Sequence, residues 1–366
     1  MKIKRVIVFV VLSLLLIISV NATAPSITSI VINSTQPTTN NTHQNITTTV
    51  ISSDDDGDSV KLIYNWYVNG TSITVLNMPF EKINGTNSNN AWDYSGYGNN
   101  GDVSSATWNS TGGFDGKGAY EFNGSDFPIN EVIIIQDATS LNHANKISIQ
   151  AWIKPNNVGN DWETIVMKGS SQSLGQNRFS YNLRLNEKGE PSFSINLSGG
   201  TGWKYATGST LQNKSWYHIV GTYDGNHVKL YVNGSLVKTS SPVSGDITLG
   251  SDDIRIGEIG NDNFNGTIDD IIIFNRSLSA EQVFLLYNNL SGIIGANETK
   301  INDYWNVSVT PNDGNTDGTL VWSKFILITN TLISEGSSSV PEWDSYAVFL
   351  ILLVVISGFF QIKKRE

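Results

Sequence analysis

Residues 216–237 read WYHIVGTYDGNHVKLYVNGSLV. Apolar and polar side chains alternate through 216–223 and again through 228–232, so each run is a strand with one buried face. Asn233-Gly234 follows Val232, and both residues accept the positive φ that closes a two-residue hairpin. Working outward, 147–153 (ISIQAWI) and 60–68 (VKLIYNWYV) repeat the alternation, and the second also ends on Asn69-Gly70. Helical spacing occurs at Ser279 to Asn288, where Leu278, Val283, Phe284 and Tyr287 follow one stripe after a capping serine. The pattern predicts an all-β chain with a single short helix.

The composition agrees. Among 366 residues there is no cysteine, which excludes disulfides, thiol nucleophiles and thiolate zinc sites together. Charged residues are 15% and aromatics 10% of the chain, the balance of a strand-rich extracellular protein. The formal net charge of −10 repels nucleic acid and anionic lipid and tolerates divalent cations. The length predicts two globular units with ends of separate purpose.

Lys2, Lys4 and Arg5 precede an apolar run from Val6 to Val20 and then Asn-Ala-Thr-Ala, the order of a secretory signal, with cleavage expected after Ala22. At the other end, residues 333–345 form a Ser-containing spacer, 346–362 an apolar span, and 363–366 a basic tail. Positive charge stays cytoplasmic, so the bulk of the chain is expected outside a membrane anchored through this C-terminal helix. Val340-Pro341-Glu342-Trp343 before that span resembles the PEF-type sorting signals of archaeal surface proteins. That resemblance implies an archaeosortase-type partner, although Trp343 stands where the family usually carries Phe.

Sixteen Asn-x-Ser/Thr triplets occur, against about eight expected by chance from the Asn, Ser and Thr content. Asn33, Asn45, Asn84, Asn109, Asn123, Asn196, Asn213, Asn233, Asn265 and Asn297 fall in polar stretches and are candidate glycosylation sites.

Residues 147–155 (ISIQAWIKP), 216–237 and 264–289 (FNGTIDDIIIFNRSLSAEQVFLLYNN), with the entry segments Ala91-Trp92-Asp93-Tyr94-Ser95-Gly96 and Ala119-Tyr120-Glu121-Phe122-Asn123-Gly124, resemble the laminin-G-like, concanavalin-A-like jelly roll in family order. The resemblance assigns residues 80–295 to that domain. Trp152 and Trp216 then read as core. The flanks, 23–79 and 296–332, resemble halves of an immunoglobulin-like or PKD-like sandwich, through Tyr64-Asn65-Trp66-Tyr67-Val68-Asn69-Gly70 early and Trp305 to Gly314 late. Neither half has strands enough to cover a core. The expected fold is therefore a concanavalin-A-like jelly roll inserted into a small immunoglobulin-like β-sandwich, between an N-terminal signal peptide and a C-terminal transmembrane helix.

The chain carries no His-Glu-x-x-His pair, no Gly-x-Ser-x-Gly elbow and no Glu-x-Asp-x-x-Glu strand of the kind that glycan-cleaving jelly rolls use, so no catalytic residue is assigned and the chain reads as a non-enzyme. Glu187 and Glu190 flank a Gly-containing turn and read as solvated. Structural calcium is the expected cofactor, since hard oxygen ligands suit it. Its candidate ligands are Asp93 with Asp269 and Asp270, whose adjacent carboxylates on a buried strand need partners, and the acidic loop of Asp54, Asp56 and Asp58. Trp162, Trp203 and Tyr205 lie beside Gly, Asn and Asp and read either as a sugar platform on loops or as loop packing. The function expected is a surface recognition or adhesion protein binding a glycan or protein ligand. The alternative is a structural cell-envelope component without a soluble ligand.

Overall fold

The computed structural model describes residues 23–35, 40–81, 90–125, 131–159, 161–169, 179–199 and 202–329. The expected signal peptide, C-terminal helix, spacer and Asn84 lie outside them. Among the described residues no helix is long and apolar enough to cross a membrane.

Two large antiparallel sheets face each other. One runs, in spatial order, Gly202–Thr207, Pro191–Leu197, Tyr181–Leu185, Glu163–Lys168, Ile254–Ile256, Val132–Ile135, Gly101–Ser104 and Asn90–Ala91. The other runs Ser235–Thr239, Val228–Val232, Tyr217–Tyr223, Ile147–Pro155, Asn265–Phe274, Ala119–Asn123 and Thr107–Asn109. Period-two alternation explains the core between them. Ile147, Ile149, Ala151 and Ile153 point inward from one sheet and Tyr181, Leu183, Leu185, Phe193, Ile195 and Leu197 from the other, all buried. Gly221 is required where these faces meet, because a Cβ there would lie 2.0 Å from Phe193 Cγ.

The flanking segments pair with one another. Lys61–Val68 runs antiparallel to Tyr304–Asn312 over eight residue pairs, from Val68 opposite Trp305 to Lys61 opposite Asn312. Ser26–Ser34 and Ile46–Ser53 form a second small sheet. Two segments lie differently from the expected boundaries. Thr74–Met78 hydrogen-bonds to Asn265–Phe274, with Leu76 and Met78 in the jelly-roll core. Ile293–Ile294 instead pairs with Ile46 and Thr47 of the small sheet.

The helix Ala280–Tyr287 starts where Ser279 Oγ accepts from Gln282 N at 3.1 Å. Its Val283 and Leu286 join Val220 and Tyr231, on the outer face of the second sheet, with Trp66, Trp305 and Val307 of the flanks in one buried cluster. Trp66 and Trp305 meet edge to face at 6.3 Å. The outer face of that sheet is therefore covered. The outer face of the other sheet, at its Gly202–Thr207 end, carries a groove.

Candidate ligand-binding groove

In Pro191–Leu197 the inward phase is Phe193, Ile195 and Leu197, which leaves Ser192 and Ser194 facing out. The same count turns Asn182 and Arg184 outward from Tyr181–Leu185, and Trp203, Tyr205 and Thr207 outward from Gly202–Thr207, where Ala206 faces the core. Register aligns them: Arg184 lies opposite Ser192 and Ser192 opposite Thr207, while Asn182 lies opposite Ser194 and Ser194 opposite Tyr205. Small hydroxyl side chains thus make a floor and rings make a rim.

The opposite rim comes from Trp162, immediately before the strand Glu163–Lys168. Its Nε1 donates to Glu187 Oε1 at 2.8 Å, and the Arg184 guanidinium lies 3.8 Å from its ring centroid. Glu187 is placed by a tight turn in which Asn186 Oδ1 accepts from Lys188 N at 2.9 Å and Glu190 N at 3.0 Å, and Gly189 takes φ +70°. Asn186 Nδ2 also holds Glu190 Oε2 at 2.8 Å. Across the groove, Trp203 packs on Phe179 with centroids 3.6 Å apart, and Tyr205 is 62% exposed. Trp162, Arg184, Asn186, Glu190, Ser192, Ser194, Trp203, Tyr205 and Thr207 enclose a cavity of about 520 Å³, the size of a small-ligand site.

Trp162, Trp203 and Tyr205, singled out in the sequence, therefore line one groove, with Trp203 and Tyr205 on an edge strand. Glu187 and Glu190 are not simply solvated: one fixes Trp162 and the other lines the cavity. Arg184, Ser192, Ser194 and Thr207 went unrecognised. The PSFSINL alternation, with serines opposite a wholly apolar phase, was the available signal.

The calcium candidates fall into separate hydrogen-bond sets. Asp93 Oδ1 accepts from Asn77 N and Ser95 N, both at 2.9 Å, and its Oδ2 accepts from Ser95 Oγ at 2.6 Å and Asn99 N at 2.8 Å. Asp269 accepts from Phe114 N at 2.9 Å and Asp270 N at 2.7 Å, and Asp270 Oδ1 lies 3.2 Å from Lys61 Nζ. In the acidic loop, Asp54 Oδ1 accepts from Asp56 N and Gly57 N, Asp56 Oδ2 from Thr23 N, and Asp58 donates its own N–H to Asp56 Oδ1. Asp93 and Asp269 are thus held by N–H and O–H donors and Asp270 by Lys61, whereas Asp54 Oδ2 is buried with no hydrogen-bond partner.

The strand that carries Asp269 and Asp270 is irregular at that pair. A bulge opposite Ala151 places Trp152 across from Asp269 and Gln150 across from Ile272, and Asp270 takes φ +47°. With Ile268 and Ile271 in the core, both carboxylates face away from it. Trp152, at 3% exposure, is likewise buried on the outer side, stacked on Phe114 at 3.4 Å rather than packed between the sheets. Trp216 is half-buried and meets Phe114 edge to face at 6.0 Å.

Among the glycosylation candidates, Asn33, Asn123, Asn213 and Asn297 are exposed, and Asn45, Asn109, Asn233 and Asn265 are half-buried. Asn196 departs from expectation: it is 5% exposed, within the strand Pro191–Leu197, opposite Trp203.

Residues 130–284 match the Concanavalin A-like lectin/glucanases superfamily. No curated protein matches the chain. Similar solved structures include the botulinum neurotoxin serotype G binding domain, at 19% identity and TM-score 0.47, covering 59% of this chain and 51% of that one. The binding domain of Paraclostridial Mosquitocidal Protein 1 aligns at 20% identity and TM-score 0.46, covering 59% and 52%. The botulinum neurotoxin serotype D ligand-binding domain, solved in complex with N-acetylneuraminic acid, aligns at 19% identity and TM-score 0.46, covering 59% and 51%. The chain spans about half the length of each of these structures.

Proposed function

We propose that this protein is a non-catalytic recognition module that binds a glycan in the groove between Trp162 and the Trp203–Tyr205 edge. The observation carrying this reading is the convergence of three rings on one polar-floored cavity, within a segment that matches the Concanavalin A-like lectin/glucanases superfamily. Rings stack on the apolar faces of a sugar, and the hydroxyls, Arg184 and Glu190 offer both donors and acceptors to its hydroxyl groups. Exposure at the cell surface, with a membrane anchor and glycosylation, belongs to the same proposal and rests on the apolar runs at 6–20 and 346–360 and on the excess of sequons.

The test is glycan-array screening of the full chain, followed by calorimetry with the best binder and with the Trp162→Ala and Tyr205→Ala variants. Selective binding weakened by both substitutions supports the groove. Unchanged affinity in both variants removes the site, and a folded protein that binds no glycan favours a protein ligand or an envelope role. A chelator arm is included, and binding lost with chelator would assign calcium a role in the site.

A further inference from the structure

We infer that the pocket bounded by Phe114, Trp216 and Tyr287 is a second saccharide site, one that takes an uncharged sugar unit. It lies on the outer side of the second sheet, away from the groove at Trp162, and does not depend on that groove.

Three segments distant in sequence build it. The loop carrying Phe114 is pinned by Asp269, whose Oδ2 accepts from Phe114 N at 2.9 Å, and the Phe114 ring lies flat on Trp152. Trp216, immediately before the strand Tyr217–Tyr223, stands at 79° to Phe114. Tyr287 ends the helix, its ring 5.8 Å from that of Trp152 and tilted from it by 22°. The hairpin glycine Gly234 lets Tyr287 seat there, because a Cβ at Gly234 would lie 2.9 Å from Tyr287 Cδ1. The enclosed space is about 340 Å³, the size of a small-ligand pocket.

The walls are reachable from solvent. Phe114 is 36% exposed, Trp216, Tyr287 and Asn233 are half-buried, and Asn288 and Asn289 are exposed. Asn233 Oδ1 accepts from His218 N at 3.0 Å, and Asn288 Nδ2 donates to Phe284 O at 2.7 Å. Those bonds leave Asn233 Nδ2 as a donor and Asn288 Oδ1 as an acceptor on the rim. The Trp216 indole N–H, the Tyr287 hydroxyl and the Asn289 amide have no partner among the described residues, and none of them is buried.

This wall chemistry selects the ligand. Aromatic faces pack on the C–H faces of a sugar, and amide, hydroxyl and indole groups supply the mixed donors and acceptors that its hydroxyl groups use. No charged side chain lines the pocket, in contrast to Arg184 and Glu190 of the groove, so an ionised sugar would lose hydration without gaining an ion pair. Asn233 and Asn289 also open the triplets Asn233-Gly234-Ser235 and Asn289-Leu290-Ser291. The sugar can therefore come from a free glycan or, resting on the proposed glycosylation, from one linked to the rim itself.

The experiment uses the full chain carrying Trp162→Ala and Tyr205→Ala, made without N-glycans, so that binding reports this pocket alone and failure of the groove leaves the test intact. The Trp216 indole N–H is followed by NMR during titration with chitotriose, cellotriose and mannotriose, and with trigalacturonate and tetramethylammonium as charged controls. A saturable shift with a neutral trisaccharide is expected, with both controls weaker by about tenfold. Trp216→Ala and Asn289→Gly should each weaken binding by about tenfold, read by calorimetry. Asn289→Gly suits the backbone φ of +58° and should keep Tm, so loss of folding cannot account for its effect. In the same chain from a host that glycosylates Asn-x-Ser, retained trisaccharide binding assigns the pocket to a free glycan. Binding that is lost there and restored by Ser291→Ala or Ser235→Ala assigns it to the chain's own glycan. No shift with any neutral trisaccharide, equal binding of either charged control, or full affinity in folded Trp216→Ala and Asn289→Gly would each overturn the inference.

Discussion

The Arg184 guanidinium lies 3.8 Å over the Trp162 ring and makes no ion pair among the described residues. Its Nε is buried without a partner. The pair couples a strand of the sheet to the residue preceding the next one, so the ring that forms one rim is held by the residue that would contact the ligand. Arg184→Lys keeps the charge but loses the planar stacking. It should weaken glycan binding by about tenfold, with the change read by calorimetry. Affinity equal to that of the native protein would show that the stacking does not position Trp162.

Tyr205→Ala tests the other rim with little risk to the fold. The side chain is 62% exposed, so stability should change by no more than about 0.5 kcal/mol while affinity falls about tenfold. Thermal denaturation and calorimetry on the same sample separate the two effects. A large loss of Tm with unchanged affinity would assign Tyr205 a packing role.

Gly221→Ala should cost about 3 kcal/mol, since its Cβ would overlap Phe193 at the centre of the jelly roll. Phe193→Leu in the same chain should recover part of the loss. Denaturant unfolding measures both, and a Gly221→Ala protein of native stability would mean that the sheets can separate there without penalty.

Lys61→Met should be more damaging than its half-hidden position suggests. Burial opposes its charge, yet Asp270, Asp269, Glu81 and Asp115 hold its pKa well above the ordinary lysine value. Removing it leaves those carboxyls uncompensated, at a cost of about 3–5 kcal/mol. The same unfolding measurement checks this, and a loss below about 1 kcal/mol would mean that the acids are neutral in the native protein.

Two buried groups give pH dependence of opposite sign. Burial pushes the Glu163 carboxyl up to about 7, so its contribution is present below the unfolded value and is lost as pH rises through 7. Burial pushes His218 down to about 3, and its ring nitrogens have no partner, so stability is lost as pH falls below the unfolded histidine value near 6.5. Glu163→Gln should therefore raise Tm more at pH 8 than at pH 5, and His218→Phe more at pH 5 than at pH 8. Scanning fluorimetry at both pH values decides this, and a gain independent of pH in either variant refutes that assignment.

The strands around Trp152, Tyr217–Tyr223 and Val228–Val232 were legible because one face of each must be apolar, and period two exposes that requirement in a single sequence. The helix was legible from Ser279 and its stripe. The aromatic positions Trp162, Trp203 and Tyr205 could be noticed as rings in polar company, but their convergence could not. It depends on the register that sets Ser194 between Asn182 and Tyr205, and register is a relation between strands distant in sequence. The bulge at Asp269 and Asp270 was hidden for a related reason. An extra residue in one strand is defined only against the strand opposite.

By itself the sequence determined the all-β class, the hairpins at Asn69-Gly70 and Asn233-Gly234, the helix capped by Ser279 and the absence of cysteine chemistry. These are properties of local periodicity and residue type. Only the tertiary structure decided that Arg184 and Glu187 fix Trp162, and that backbone N–H groups from distant segments engage Asp93 and Asp269. Each of these is a directional contact between segments far apart along the chain, and its geometry exists only after the sheets have twisted and closed on a common core.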